Sequence, residues 1–216
     1  MKILVTGASG GIGKAVAFMF LERGHEVMGF DVLTSPIEHE NYTHYVCDLT
    51  KRDYPAIEGV EAVVNCAGIQ SQTEKDIEVN LTSVIAFTEF YAFNEQIKAV
   101  VNISSSSALT GAEFPHYAAS KGGLSTYTKN LAQRLAAYGA CANAICPGAV
   151  ETDMNEHILK DKSLYDAVAA ESLLNKWASP EEIAEWVYFL VCVNKSMTGQ
   201  ELLIDNGECL KTNFIW

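Results

Sequence analysis

The sequence predicts a single α/β domain built on a doubly wound parallel sheet. Three observations lead there. Short β-branched runs alternate with longer amphipathic runs along the whole chain. The strands are nearly continuous in apolar residues, as they must be when both faces of a sheet are covered. The first strand runs straight into a glycine-rich turn that opens a helix. With 216 residues, 49% of them hydrophobic and 19% charged, the chain is long enough for one sizeable core and too apolar for a disordered polymer.

The first strand is Lys-Ile-Leu-Val-Thr over 2–6, followed by a helix from about Gly13 to Arg23 and a strand, Glu-Val-Met-Gly-Phe-Asp, over 26–31. Gly24 stands where a left-handed residue closes that helix. Beyond Asp31, the segment LTSPIEHENYT carries Pro36 and little helical periodicity, so a loop is expected in place of a crossover helix, a shortened crossover after the second strand. Further strands are expected at about 43–47, 60–65, 97–104, 140–146 and 201–204, and helices over 75–95, 117–138 and 180–192. The stretch 48–60 has room for two helical turns at most. Ser179, Pro180 and Glu182 form a capping box with proline at the first helical position. Glycine and proline are scattered and no repeat or linker shows, so residues 1–216 read as one domain.

Charge excludes several functions. Fifteen Lys plus Arg against 27 Asp plus Glu gives a net charge of −12, which repels phosphate backbones and anionic lipid surfaces. Neither a nucleic-acid nor a membrane partner is expected. MKILVTGASGG has no signal-peptide core, and no stretch approaches a spanning length. Cysteines at 47, 66, 141, 146, 192 and 209 include no C-x-x-C pair, which suits reduced core thiols in a cytoplasmic protein. The histidines at 25, 39, 44, 116 and 157 have no metal-site spacing, so no catalytic metal is expected.

Two motifs carry chemistry. TGASGGIG lies between a strand and a helix: Gly7 lets the chain turn, Gly11 lacks the Cβ that would block a pyrophosphate, and Gly13 lets the helix pack against the strand with its amides facing the anion. Asp31, 18 residues past Gly13 at the end of the next strand, is placed to accept hydrogen bonds from an adenosine ribose. A 2′-phosphate would meet its charge, and neither Val32 nor Leu33 could pair it, so NAD is favoured over NADP. In YAASK, Tyr117 and Lys121 stand at i and i+4 of a helix. The ammonium there can lie under the phenol and stabilise its phenolate, making a usable base nearer neutral pH.

TGASGGIG, NCAG (Asn65 to Gly68), Asn80 in a helix, NISS (Asn102 to Ser105), YAASK, Pro147-Gly148 with Thr152, and TGQELLIDNG follow one another in an order that resembles the short-chain dehydrogenase/reductase family over essentially the whole chain. The spacing TGxxxGxG is similar to the compact branch of that family rather than its longer epimerase-like branch. The resemblance implies a Rossmann fold and a catalytic tetrad of Asn80, one serine of NISS, Tyr117 and Lys121. In that scheme Tyr117 exchanges the proton, the serine holds the substrate oxygen, Lys121 binds the nicotinamide ribose, and Asn80 holds a relaying water. It also implies a cofactor site of Gly7, Ser9, Gly11, Ile12, Gly13, Asp31, Asp48, Leu49, Asn65, Ala67, Gly68, Tyr117, Lys121, Pro147, Gly148, Val150 and Thr152. Family practice points to Ser105 as the serine, while the distance to Tyr117 favours Ser104, and both stay candidates.

This chain departs from the family pattern at four places. Cys66 replaces a second Asn, the segment from Gly68 to Asn80 is about half the usual length, Asn206 replaces a Gly, and the crossover after Asp31 is lost. The last also resembles dehydrogenases of the 2,3-dihydro-2,3-dihydroxybenzoate type. A carboxylate substrate, however, wants an Arg near Tyr117. The loop before it offers only Glu113 and His116, and the chain's arginines are Arg23, Arg52 and Arg134.

The function expected is hydride transfer between NAD(H) and a secondary alcohol or ketone, with Tyr117 as acid/base. A non-catalytic dinucleotide sensor or scaffold is the alternative, against which Tyr117 and Lys121 both argue. A nucleotide-sugar epimerase would need a larger substrate domain than this chain can build. The resemblance implies that segment 151–177 covers the pocket; it mixes Met154, Ile158, Leu159, Leu164 and Tyr165 with Glu156, Asp161 and Asp166, a charge that suggests a neutral or cationic substrate. The 75–95 helix is apolar on nearly every side (Ile77, Val79, Leu81, Val84, Ile85, Phe87, Phe90, Tyr91, Phe93), leaving a polar arc near Glu78, Thr82 and Glu89. With Leu124, Tyr127, Leu131, Leu135 and Tyr138 on the next helix and Phe214, Ile215 and Trp216 at the tail, a homodimer or homotetramer is expected.

Overall fold

Ile3 and Val5 point to one face of the sheet and Leu4 to the other, and both faces are apolar. That alternation gives the domain two cores. In the computed structural model, which describes residues 1–112 and 114–211, the strands are β1 Lys2–Thr6, β2 Glu26–Asp31, β3 Tyr42–Val46, β4 Ala62–Asn65, β5 Ala99–Ile103, β6 Cys141–Pro147 and β7 Glu201–Ile204. The sheet is parallel throughout, in the order β3-β2-β1-β4-β5-β6-β7. The chain builds outward from β1 to β3, then crosses to β4 on the other side. This reversal opens a crevice at the carboxyl ends of β1 and β4, where such sheets bind ligands.

The helices are α1 Gly11–Leu21, α2 Lys75–Ile77, α3 Ser83–Tyr91, α4 Ser107–Thr110, α5 Pro115–Leu135, α6 Glu156–Leu159, α7 Lys162–Ala169 and α8 Pro180–Tyr188. α1 and α8 cover one face through Val16, Phe20, Ile183 and Val187; α3 and α5 cover the other through Phe87, Tyr91, Leu131 and Leu135. The capping box of α8 forms: Glu182 N–H donates to Ser179 Oγ at 3.1 Å, and Ser179 N–H donates to Glu182 Oε2 at 2.9 Å.

Several boundaries move, for local reasons. α1 starts at Gly11, because the glycine-rich turn itself winds into the first helical turn, and Gly24 closes the connection at φ +75°. The 75–95 helix is interrupted by a π-turn at Glu78–Thr82 and ends at Tyr91. α5 begins two residues before Tyr117, with Pro115 in its first turn, and finishes in a 3-10 turn at Ala136–Tyr138. α8 likewise ends in a π-turn, Phe189–Val193. Residues 48–60 hold one 3-10 turn, Leu49–Lys51.

No helix forms between β2 and β3, as the sequence indicates. Tyr42 supplies part of the missing cover: its ring lies across Gly29, where a Cβ would stand 2.1 Å from the phenol oxygen, and Ile37 packs beneath it. Glu113 and the apolar tail residues Phe214, Ile215 and Trp216 lie outside the described residues.

Candidate active site

The turn after β1 is built so that backbone can approach backbone. A Cβ on Gly13 would stand 2.1 Å from the Gly7 carbonyl oxygen, and one on Gly7, at φ +68°, 2.9 Å from Ala67 N. At Gly11 it would press on Thr152 Cγ2 at 3.1 Å. No side chain caps the N-terminus of α1 and no acid sits in its first turn, so its amide donors are left for a ligand anion. Thr6 Oγ1 accepts from Cys66 N–H and Ala67 N–H, both at 3.1 Å, pinning the chain after β4 to the end of β1. Asp31 ends β2 with its carboxylate accepting from Ser9 N–H and Leu33 N–H, each at 3.0 Å, which ties the first two strand exits together.

Tyr117 and Lys121 lie one turn apart on α5, with Lys121 Nζ 5.7 Å from the Tyr117 ring centre. Lys121 is 4% exposed and donates to the Ile103 carbonyl at 2.8 Å. Ser104 and Ser105 separate in role. Ser104 Oγ donates to the Lys121 carbonyl at 2.9 Å and meets Ser125 Oγ at 3.1 Å, so it braces α5 against β5. Ser105 Oγ accepts from Ser107 N–H at 3.2 Å and Ser107 O–H at 2.8 Å, which leaves its own proton to give. Asn80 sits in the π-turn with no exposed surface. Its Nδ2 donates to Ile69 O at 2.8 Å and Ser120 Oγ at 3.2 Å, and its Oδ1 accepts from Ile69 N–H at 2.8 Å.

These elements surround a cavity of about 430 Å³. Gly7, Gly11, Ile12, Gly13, Asp31, Ala67, Gly68, Ser104, Ser105, Tyr117, Lys121, Pro147, Gly148, Val150 and Thr152 line it, bringing most of the sequence-derived residues together. The others stand elsewhere. Ser9 borders a smaller neighbouring depression of about 300 Å³. Asp48 is exposed and caps its own turn, Thr50 N–H and O–H donating to Oδ1 at 3.0 and 2.7 Å, which holds its carboxyl below the usual range. Leu49 is buried in the core. Asn65 turns into the seam between strands: its Nδ2 donates to Thr88 Oγ1 at 2.9 Å and Asn102 Oδ1 at 2.8 Å, while Asn102 donates on to Thr128 Oγ1 at 2.8 Å. The side chains of Asp48, Leu49 and Asn65 are therefore engaged in structure rather than turned to the cleft.

From the 151–177 segment, Met154, Ile158, Val168, Glu171 and Trp177 reach the cavity, whereas Leu159, Leu164 and Tyr165 do not line it. Tyr165 stacks on Trp177 at 5.5 Å and donates to Glu151 at 2.7 Å, holding the cover from outside. Sequence reasoning missed Gly10, Leu33, Gln70, Ile103, Ser106, Ala149, Asp153 and Asn155 among the lining residues, and also Glu208, which arrives from the far end of the chain. Cys66 is half-buried and also lines the cavity, and desolvation pushes its thiol up to about 12 despite the Lys121 charge. Among the described residues no group of three or more His, Cys, Asp or Glu could hold a metal, and no helix is long and apolar enough to cross a membrane. The glycine cradle, the open helix terminus and Asp31 fit the pyrophosphate and ribose of a dinucleotide.

Comparison with known proteins gives concordant matches. Residues 7–208 match the family model described as enoyl-(acyl carrier protein) reductase. The chain is 32% identical to the 3-oxoacyl-[acyl-carrier-protein] reductase FabG of Thermotoga maritima, over 94% of this chain and 96% of that one. It superimposes with TM-score 0.85 on a short chain dehydrogenase family protein from Francisella tularensis subsp. tularensis, at 28% identity over 97% and 99% of the two chains. The fold is also that of ElxO with NADP bound, at TM-score 0.86 and 24% identity over 97% and 99%.

Proposed function

Since the chain belongs to the short-chain dehydrogenase/reductase family, we propose that it interconverts a secondary alcohol and its ketone, with NAD(H) as redox partner and Tyr117 as acid/base. The observation that carries this reading is that Ser105, Tyr117 and Lys121 share one cavity with the glycine-rich turn. A dinucleotide held by the glycine-rich turn and Asp31 would supply the hydride acceptor for oxidation and the hydride donor for reduction. Tyr117 as phenolate accepts the substrate hydroxyl proton as the C–O bond gains double-bond character, and gives it back in the reverse direction. Ser105 is supported as the oxygen-holding donor because its lone pairs are already engaged by Ser107. Lys121 places a buried positive charge beside the phenol ring, where it favours the phenolate. Asn80 has both Nδ2 protons used and one Oδ1 lone pair taken by Ile69 N–H, so a relaying water would donate to the other Oδ1 lone pair.

NAD is favoured over NADP because Asp31 lines the cleft, followed by Val32 and Leu33. Lys121 is the single Lys or Arg among the lining residues and belongs to the other end of the cleft. Assembly through the outer faces of α3 and α5 is part of the same proposal. Phe90 stands 57% exposed on α3, and Arg134 lies 4.4 Å over the Phe93 ring nearby.

The test is Tyr117→Phe. Turnover is expected to fall by about 10²–10⁴-fold while NADH affinity stays within about threefold, since the ring still packs. Activity within a few-fold of wild type would remove the tyrosine assignment. Lys121→Ala is expected to weaken both turnover and cofactor binding.

A further inference from the structure

Glu208 comes from the end of the described chain, yet it lines the same cavity as Ser105 and Tyr117. The turn after β7 presents it there. Asp205 accepts from Gly207 N–H at 2.9 Å and Cys209 N–H at 2.8 Å, and Gly207 takes φ +82°, which winds Glu208–Leu210 into a 3-10 turn. Gly148 then makes room: a Cβ on it would stand 2.5 Å from Glu208 Oε2. Ser106 Oγ donates to Glu208 Oε1 across 3.4 Å, and Ser105, Ser106 and Glu208 line the same cavity. Burial and the nearby Asp205 charge raise its pKa, while Ser106 and the Ala149 amide oppose that rise. An ionised carboxylate offers about four acceptor sites, so two known donors leave it capacity for a ligand.

The segment that covers the cavity contributes Met154, Ile158, Val168 and Trp177 as apolar lining, with Asn155 and the acids Asp153 and Glu171 among them. Nothing there except Lys121 carries a full positive charge. A carboxylate or phosphate beside the reacting carbon would therefore face acids, whereas a hydroxyl would find an acceptor.

We propose that Glu208 is a specificity-determining residue of this cavity, accepting a hydrogen bond from a hydroxyl adjacent to the carbon being oxidised, so that the substrates are neutral vicinal diols and the corresponding hydroxyketones. The inference rests on the oxidoreductase reading above. A site built to pair a substrate hydroxyl rejects the analogue lacking it, because its own polar group is then left dry.

The experiment compares cis-1,2-cyclohexanediol, cyclohexanol and cis-2-hydroxycyclohexanecarboxylate, with NAD and with NADP, on wild type, Glu208→Gln, Glu208→Leu and Glu208→Lys. For wild type, kcat/KM for the diol is expected to exceed that for the alcohol by about tenfold or more. Glu208→Leu should bring that ratio to near unity, Glu208→Gln should retain part of it through the amide oxygen, and Glu208→Lys should turn preference toward the hydroxy acid. Dinucleotide titration of each variant reports folding independently of turnover. A wild type that oxidises the diol no faster than the alcohol, or not at all, overturns the inference, as does a ratio unmoved in Glu208→Leu. Turnover of any of the three leaves the oxidoreductase reading standing; failure to bind either dinucleotide removes that reading and the inference with it.

Discussion

Asn80 and Lys121 close on one small volume from two elements: a Cβ placed on Gly68 would lie 3.3 Å from Asn80 Oδ1 and 3.3 Å from Lys121 Nζ. The π-turn brings the amide there, α5 brings the ammonium, and the bare Cα of Gly68 lets both stand beside the cleft. Gly68→Ala is therefore expected to displace Lys121 without disturbing either core. Steady-state kinetics should show kcat/KM reduced about tenfold or more, of the size a misplaced catalytic group costs. Thermal unfolding should show stability within about 1–3 kcal/mol of wild type, the range of a small overpacking. Unaltered kinetics would mean that the Lys121 position carries no catalytic burden.

Cofactor choice should follow the end of β2. Asp31→Ser together with Val32→Arg removes a carboxylate from the ribose side and offers a guanidinium to a 2′-phosphate. The ratio of NAD to NADP affinity is expected to shift toward NADP by about tenfold or more, read by fluorescence titration of the reduced forms. A wild type that already prefers NADP contradicts the role given to Asp31.

Stability of the cover segment should depend on the first turn of α8. Ser179→Ala removes one arm of the capping box that starts it and should cost about 0.5–2 kcal/mol in denaturant unfolding. The Lys176 and Ser179 hydrogen bonds hold the Glu182 carboxyl below its usual pKa. The stabilisation from Glu182 is thus present above the ordinary glutamate range and is lost as pH falls through its folded value. The Ser179→Ala penalty, which removes the hydroxyl alone, should change little over the same range.

Phe90→Glu tests assembly. The side chain is 57% exposed on α3, so a charge there is compatible with the fold and hostile to an apolar interface. Light scattering at micromolar concentration is expected to show a dimer or tetramer for wild type and a smaller species for the variant. A wild-type monomer would end the proposal.

Sequence periodicity located the inner strands because strands buried on both faces write themselves as short apolar runs, whereas the edge strand β3, Tyr-Thr-His-Tyr-Val with no buried residue, was legible from its β-branched and aromatic residues. It also located the glycine cradle and the capping box, which depend on neighbours in the chain. What it could not locate depends on distant partners. Asn65 belongs to a recognisable motif, yet Thr88 and Asn102 pull its amide into the sheet seam, and its buried Oδ1 has no partner in the structure. The π-turn that seats Asn80 keeps the apolar pattern of an ordinary helix and so leaves no mark in the periodicity. Ser104 and Ser105 were separable only through Lys121 and Ser107. Glu208 carried no signal at all, because its place in the cavity depends on a turn after β7 meeting a glycine after β6.

The strand order also sets a timetable for synthesis. β1 pairs first with β2, and its other flank waits for β4, which begins at Ala62. At about 5–20 residues per second, the roughly thirty residues between β2 and β4 take on the order of a few seconds to emerge. During that interval the β4-facing edge of β1, Ile3-Leu4-Val5, has no strand to pair with, the kind of apolar edge on which chains aggregate. A pause that leaves β1 and β2 outside the ribosome while β4 is still inside it would prolong that exposure.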